Sequence, residues 1–286
     1  MMEMRMGMGM GAQQGVGGGP SGPVFNNAET ATWYAALPHP TDIPAANLAN
    51  IDTFIGALKA TSAFGQVFDR LYLFAIDSVN PTKGQLNSLV NLVSPGSAKN
   101  AVRVGSGEQS LSWTAKAGWL GATNAALDTQ LVPDGSGNWK IGNSSMMLNV
   151  ESISASARPL GYYNNTQSWS WRISAPVLRC YMATSTFTQK TIAVGTLEGT
   201  HIANRTSTTS LIAWDGNNSN TSVLTDEVSL YPNGPFYMLA RNENNVSIGY
   251  PETTYKMRLA AIGGGLTTNQ MTDIRAAIAT YLGTLA

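Results

Sequence analysis

Four aromatic residues, Tyr162, Tyr163, Trp169 and Trp171, fall within one short segment, interleaved with Asn164, Asn165, Thr166 and Gln167. Aromatic rings beside amides suit a sugar. The ring stacks on the apolar face of the saccharide, and the amides bond its hydroxyls. Trp169 and Trp171 are two apart, so on a β-strand they share a face. That face is either a sugar platform or the protein core. Trp214 precedes the turn sequence DGNNSN and is a further candidate of the same kind.

Other chemistries find less support. His39 and His201 are far apart and Cys180 is the only cysteine, so zinc has no ligand set. The Asp and Asn side chains of Asp215–Asn220 offer oxygens of the sort calcium takes. The same DG-N-N pattern reads as a turn, and no metal or cofactor is expected. No G-x-S-x-G nucleophile elbow occurs. Glycoside hydrolysis ordinarily needs two facing carboxylates. Asp226 and Glu227 are adjacent and would point to opposite faces of a strand. Gly263–Gly265 lacks the lysine and spacing of a phosphate loop and reads as a strand-to-helix corner. The expectation is a binding or structural module without catalysis.

Composition narrows the partners. Formal net charge is zero, and 12% of the 286 residues are charged, against about 25% in an average domain. No broad basic field is present to hold nucleic acid or an anionic membrane. No apolar stretch approaches the ~20 residues of a membrane span. The N-terminus lacks the apolar run of a secretory signal, so synthesis without export is expected. One cysteine rules out an internal disulfide.

These candidates need elements to position them. From about Ala101 to Ile262, short apolar-alternating runs are separated by PDGSGN, DGNNSN and YPNGP. Many short strands with Gly/Asn turns predict an antiparallel β-sandwich or barrel. Ala45–Lys59 predicts an amphipathic helix, with Leu48, Ile51, Ile55 and Leu58 on one face and Pro44 suited to its first turn. Phe64, Val67 and Phe68 could prolong that helical segment. Arg70–Asp77 (RLYLFAID) fits either a buried strand or the end of a helix. At the C-terminus Thr267 and Gln270 form a capping box, and Leu266 and Met271 a hydrophobic staple. Met271, Ile274, Ile278, Tyr281 and Leu285 make one stripe, predicting a closing helix over 267–285. The expected organisation is an arm at 1–27, a helical lead-in at 28–100, and the sandwich with its closing helix at 101–286.

The arm has its own pattern. Met4, Met6, Met8 and Met10 alternate with Arg5, Gly7 and Gly9. In an extended chain the methionines share a face and the glycines leave the other open to close approach. The segment is either an added strand docked on a neighbouring subunit or a Gly-rich tail.

Read together, Phe68–Ser97, Leu120–Pro133, Gly199–Gly216 and Tyr237–Leu282 resemble a group of tailed-bacteriophage and prophage virion proteins. These are described as tail, tail-fibre or LamG-like jelly-roll proteins, and their fold is concanavalin A-like. The most specific part is Phe236–Asn242, followed by the A-x-I-G-G-G-L-T corner at Ala260–Thr267 and the helix. The group often opens with an arm of alternating Gly and large apolar residues, matched here by MRMGMGMG. The segment Asn26–Gly65 departs from the pattern. The resemblance implies a lectin-like jelly roll located in the virion. It implies contact with other virion subunits through Met4, Met6, Met8 and Met10, and a homo-oligomer such as a trimer. It also implies host surface glycan as a partner. Two roles follow: a tail or head fibre module for host attachment, or a decoration (cement) protein that stabilises the particle. An enzyme acting on envelope sugars is a distant third.

Overall fold

The computed structural model describes residues 22–151, 158–164, 167–174, 177–182, 190–193, 198–215, 219–223, 231–244, 247–249 and 256–285. The arm residues Met4, Met6, Met8 and Met10 and the carboxylates Asp226 and Glu227 lie outside them.

Two β-sheets pack face to face. In the first, the order from one edge is Ser219–Val223, Ser210–Trp214, Gly199–Ser207, Ser144–Val150, Lys256–Gly263, Gly118–Leu120 and Ser112–Thr114. Lys256–Gly263 is long enough to serve two partners on one side. Its start pairs with Gly118–Leu120, and its remainder pairs with Phe68–Leu73. The second sheet runs Lys190–Ala193, Val177–Met182, Gln167–Ser174, Leu160–Asn164, Tyr237–Met238, Ala126–Asp128 and Val102–Val104. The described pairings are antiparallel except one. Arg241–Glu243 runs parallel to Leu160–Asn164 while pairing antiparallel with Ser247–Gly249.

Helices cover the first sheet. They are α1 (Ala28–Ala36), α2 (Ala45–Ala60), α3 (Pro81–Asn87) and α4 (Thr268–Gly283). In α2 the predicted stripe Leu48, Ile51, Ile55 and Leu58 is buried, joined by Phe54. Pro44 occupies the cap position ahead of the first turn. In α4 the capping box forms as predicted. Thr267 Oγ1 accepts from the Gln270 N–H at 3.2 Å, and Gln270 Oε1 accepts from the Thr267 N–H at 2.8 Å. Tyr281 ties the helices to the sheet. Its ring lies 5.3 Å from Phe54, and its hydroxyl donates to the Ala75 carbonyl at 2.9 Å and accepts from Asn47. Ser144–Val150 is consequently buried along its whole length, between helices on one side and the second sheet on the other.

One expectation needs correction, and the structure adds two features. Phe68 does not extend a helix. Phe68–Leu73 is a buried strand, so sheet pairing begins well ahead of Ala101. The segment Phe236–Asn242, the most specific part of the resemblance, does not form one strand. Leu239 takes a left-handed backbone, φ +65°, and splits it into Tyr237–Met238 and Arg241–Glu243. A branched apolar residue is a poor advertisement for that conformation. Helices α1 and α3 were not predicted, although Asn80-Pro81 is a readable start: the Asn80 side chain accepts from the Lys83 N–H and Pro81 sits in the first turn.

The Gly263–Gly265 corner has a packing cause. A methyl on Gly263 would meet the Val67 carbonyl oxygen at 2.1 Å, and one on Gly265 the Arg205 carbonyl oxygen at 2.3 Å. Backbone approaches backbone there as the chain turns from sheet into α4.

Candidate sugar-binding groove

Strand alternation sorts the aromatic candidates. In Gln167–Ser174, Trp169 and Trp171 point inward, and Ser168, Ser170 and Arg172 point outward. Val177–Met182 repeats the rule: Cys180 and Met182 are inward, Arg179 and Tyr181 outward. Pairing carries this across the sheet, since Tyr163 faces Ser168 and Ser170 faces Tyr181.

Tyr162, Trp169 and Trp171 are 0% exposed and belong to the core. Trp169 meets Trp139 edge to face at a ring separation of 4.5 Å, and Trp171 Nε1 donates to the Met146 carbonyl of the facing sheet at 3.3 Å. The Tyr162 hydroxyl donates to Asn233. A sugar cannot reach these rings, which corrects the expectation of a Trp169/Trp171 platform. The strand is amphipathic: its apolar face turns into the core between the sheets, while Ser168 and Ser170, also buried, and the partly exposed Arg172 lie on the other face. Trp214 is half-buried on the opposite side of the molecule, where Arg275 of α4 approaches its ring to 5.8 Å. It does not converge with the others. In the calcium candidate Asp215–Asn220, residues 216–218 lie outside the described ones. Among the described residues no three His, Cys, Asp or Glu side chains gather as a metal set.

Tyr163 alone of the five opens onto a groove. A hollow of about 360 Å³ on the outer face of the second sheet is lined by Arg158, Tyr163, Ser168, Arg172, Tyr181, Arg241 and Glu243. Arg241 is 5% exposed. It lies 4.2 Å from the Tyr163 ring centre, and its Nε donates to Glu243 Oε1 at 3.1 Å. Ser168 and Ser170 hydroxyls meet at 3.1 Å on the floor. The groove offers guanidinium donors, hydroxyls that donate or accept, and one carboxylate.

Sequence reasoning found Tyr163 but not Arg158, Arg172, Tyr181, Arg241 or Glu243. Following the alternation outward from Trp169 and Trp171 would have found Arg172 and, one strand on, Tyr181. Arg158 lies five residues ahead of Tyr163, at the lead-in to the same strand, whereas Arg241 and Glu243 arrive from a distant part of the chain and leave no local signal.

Two other hollows are less suited to a ligand. One of about 540 Å³ is lined in part by Asp69, Gln130, Asp134 and Asn138. Its polar groups hold the protein together: Asp69 accepts from the Asn138 and Trp139 N–H groups, each at 2.8 Å, and Gln130 Nε2 donates to the Ser97 and Asn100 carbonyls. The other, about 380 Å³, runs between α2 and α4 over Phe54, Ala57, Ala277 and Tyr281 and is mainly apolar.

No family model and no curated protein matches the chain in sequence. Solved structures match in fold. The binding domain of botulinum neurotoxin serotype D superposes with a TM-score of 0.51 at 10% identity, covering 79% of this chain and 53% of that one. Botulinum neurotoxin type C, which depends on interaction with two ganglioside molecules to enter cells, gives 0.50 at 11%, covering 79% and 53%. Domain 4 of AbnA, a GH43 extracellular arabinanase from Geobacillus stearothermophilus in complex with arabinotriose, gives 0.47 at 14%, covering 73% and 99%. The chain thus spans about half the length of the neurotoxin chains it matches. At these identities the likeness is one of fold: a mainly β, two-sheet sandwich of the kind found in toxin binding domains.

Proposed function

We propose that this chain is a non-catalytic, lectin-like binding module of a tailed-bacteriophage virion. In this reading it is carried on a tail or head fibre, presents its sandwich to host surface glycans, and is anchored to other virion subunits through its N-terminal arm. The observation that carries the binding role is the groove around Tyr163 and Arg241, which gathers hydroxyl and guanidinium groups on an outer sheet face. The ganglioside dependence of a toxin with the same fold is in keeping with a glycan ligand. Virion membership rests on the sequence resemblance, and oligomer formation on the arm pattern. Non-catalysis rests on the carboxylates: Glu243 is the one acid among the described groove-lining residues, where glycoside hydrolysis ordinarily uses two. No helix among the described residues is long and apolar enough to cross a membrane.

The test is binding of the purified chain to host surface polysaccharide, with product analysis for cleavage. Retention without cleavage is expected, and reproducible turnover would overturn the non-catalytic reading. Copy number and position in the intact particle separate the two roles. A few copies at the tail fit attachment, and hundreds on the head fit a decoration protein.

A further inference from the structure

We infer that the apolar groove between α2 and α4 receives the methionine arm, residues 4–10, of a second copy of this chain. The inference rests on the reading that the arm anchors the chain to other subunits, and it names the subunit and the receiving surface.

The groove holds a hollow of about 380 Å³. The buried rings of Phe54 and Tyr281, 5.3 Å apart, form its base, and Ala57, Ala60, Ala276 and Ala277 line it above them. The two helices run antiparallel: Gln270 at the start of α4 donates to the Thr61 carbonyl at the end of α2, while Tyr281 near the end of α4 accepts from Asn47 near the start of α2. The lining extends from Asn50 to Thr61 on one helix and from Asp273 to Thr284 on the other, about 17 Å at 1.5 Å per residue. Alanine walls admit a close-lying backbone, and aromatic rings at the base suit thioether sulfur. Ala57, Ala60 and Ala276 are exposed.

The arm fits this groove in length, side chains and charge. Extended at about 3.3 Å per residue, Met4 to Met10 covers about 20 Å, close to the length of the lining. Its methionines share one face and meet the apolar base, and Gly7 and Gly9 add no bulk between the walls. Arg5 is the one basic side chain of residues 1–19, and Asp273 is the one charged side chain of the lining. Asp273 is exposed and enters no ion pair among the described residues. Arg5 seated beside Asp273 directs the arm along α4 towards Thr284.

The start of the described chain points to a second copy rather than to the chain's own groove. Asn26 and Asn27 bond Asp52, and Asn27 lies against Gly56. These α2 positions face α1, whereas Thr53, Ala57 and Ala60 face the groove on the other flank. Ahead of them Gly22, Pro23 and Val24 stand off the body, all exposed and Val24 93% so. An arm bound for its own groove would have to turn back across α2 from there, whereas one leading outward meets a neighbour. Residues 11–21 span at most about 40 Å, enough to link two copies through their helical layers. Each copy carries one arm and one groove, so a two-fold pair exchanges arms reciprocally. A single short strand is a small interface and so a weak one, with dissociation on the order of 10 μM.

The experiment is sedimentation equilibrium of the full chain across a concentration series bracketing about 10 μM. The chain is expected to be monomeric when dilute and paired when concentrated. Deleting residues 1–19, or filling the groove by Ala57→Arg or Ala276→Arg at exposed positions, should leave monomer throughout, with the parent's denaturation midpoint in dilute solution. Arg5→Glu and Asp273→Arg should each weaken pairing several-fold, and combined they should restore it. A cysteine trap locates the contact. One chain carries Met8→Cys, the other carries Ala57→Cys and lacks residues 1–19, and mild oxidation should join the two. If instead only a chain bearing both cysteines closes on itself, the arm lies in its own groove and the inference is overturned. It is overturned too if the groove variants pair like the parent, or if the chain stays monomeric and no trap forms. Complementation then separates this failure from failure of the anchoring reading. Loss of particle entry on deleting residues 1–19 leaves anchoring standing with a different virion protein as partner, and normal entry sinks both.

Discussion

The Arg241 guanidinium lies 4.2 Å from the centre of the Tyr163 ring while its nitrogens hold Glu243. Both partners of this ion pair are removed from bulk water, Arg241 almost wholly and Glu243 with its side chain 25% exposed. Breaking such a pair from one side leaves the other charge without its partner. Glu243→Gln is therefore expected to lower the unfolding free energy by about 1–2 kcal/mol, less than for a fully buried pair because Glu243 is partly solvated. Urea denaturation reads this directly, and an unchanged midpoint would show that the pair does not hold the groove wall.

The tryptophans divide into core and surface, and truncation should separate them. Trp171→Ala removes a fully buried indole and its bond to Met146. The expected loss is about 3–5 kcal/mol. Trp214→Ala removes a half-buried ring whose partner is Arg275. Its expected loss is below about 1.5 kcal/mol. Equal losses would contradict the inward and outward assignment of these strands.

Helices α2 and α4 and the sandwich class were legible because the signals were local. The α4 capping box spans four residues, Thr267 to Gln270, and the apolar stripe of α2 repeats every three or four positions. What stayed hidden depends on distant pairing. Phe68–Leu73 reads as strand or helix until Lys256–Gly263 is seen beside it. Leu239 gives no hint of the turn it makes. The groove was half-visible: Tyr163 stood out by type, but the same cluster suggested Trp169 and Trp171, whose period-two spacing fits a platform and a core equally. Only the identity of the alternate positions, Ser168, Ser170 and Arg172, decides which face turns into the sandwich core, and Arg241 and Glu243 join from elsewhere in the chain.

Asp52 gathers the N-terminal lead. Its carboxylate accepts from the Asn26 N–H at 2.7 Å, the Asn27 N–H at 3.1 Å and the Thr30 hydroxyl at 2.6 Å. Burial opposes its ionisation, but these bonds from Thr30, Asn26 and Asn27 outweigh it and hold the pKa below the ordinary carboxylate range. A carboxylate depressed in the folded state adds stability above its unfolded pKa, about 4. That contribution is lost as pH falls through the lower folded value. Asp52→Asn should cost about 1–3 kcal/mol at neutral pH and flatten the acid limb of the stability profile. A variant whose acid limb matches the parent would show that Asp52 is not the group responsible.

Thr267 accepts from the Gln270 N–H, and Gln270 reaches back to the Thr267 N–H. Thr267→Ala breaks the reciprocal pair at the solvent-exposed start of α4 and should cost about 1 kcal/mol. Thr267→Ser keeps the hydroxyl and should recover most of it. If both variants lose equally, the hydroxyl is not the cap, and the loss belongs to the methyl group.

The last prediction concerns the segment ahead of the described chain. The first described groups that bind the N-terminus to the body are the Phe25 ring, 5.3 Å from Tyr34, and the backbone N–H groups of Asn26 and Asn27, which donate to the Asp52 carboxylate. Deleting residues 1–19 removes none of these, so the denaturation midpoint of the isolated protein should stay unchanged. The deletion does remove Met4, Met6, Met8 and Met10, whose alternation with glycine suits a strand laid against an apolar recess on a partner. Methionine is a poor choice for a mere spacer, where Gly and Ser suffice. At about 3.3–3.6 Å per residue in an extended chain, the segment has the reach to meet a neighbouring subunit. In complementation of virion assembly, the truncated protein should fold, keep its sugar binding and yet fail to enter particles. Incorporation at normal copy number would show that anchoring lies elsewhere and would reduce the segment to a tail.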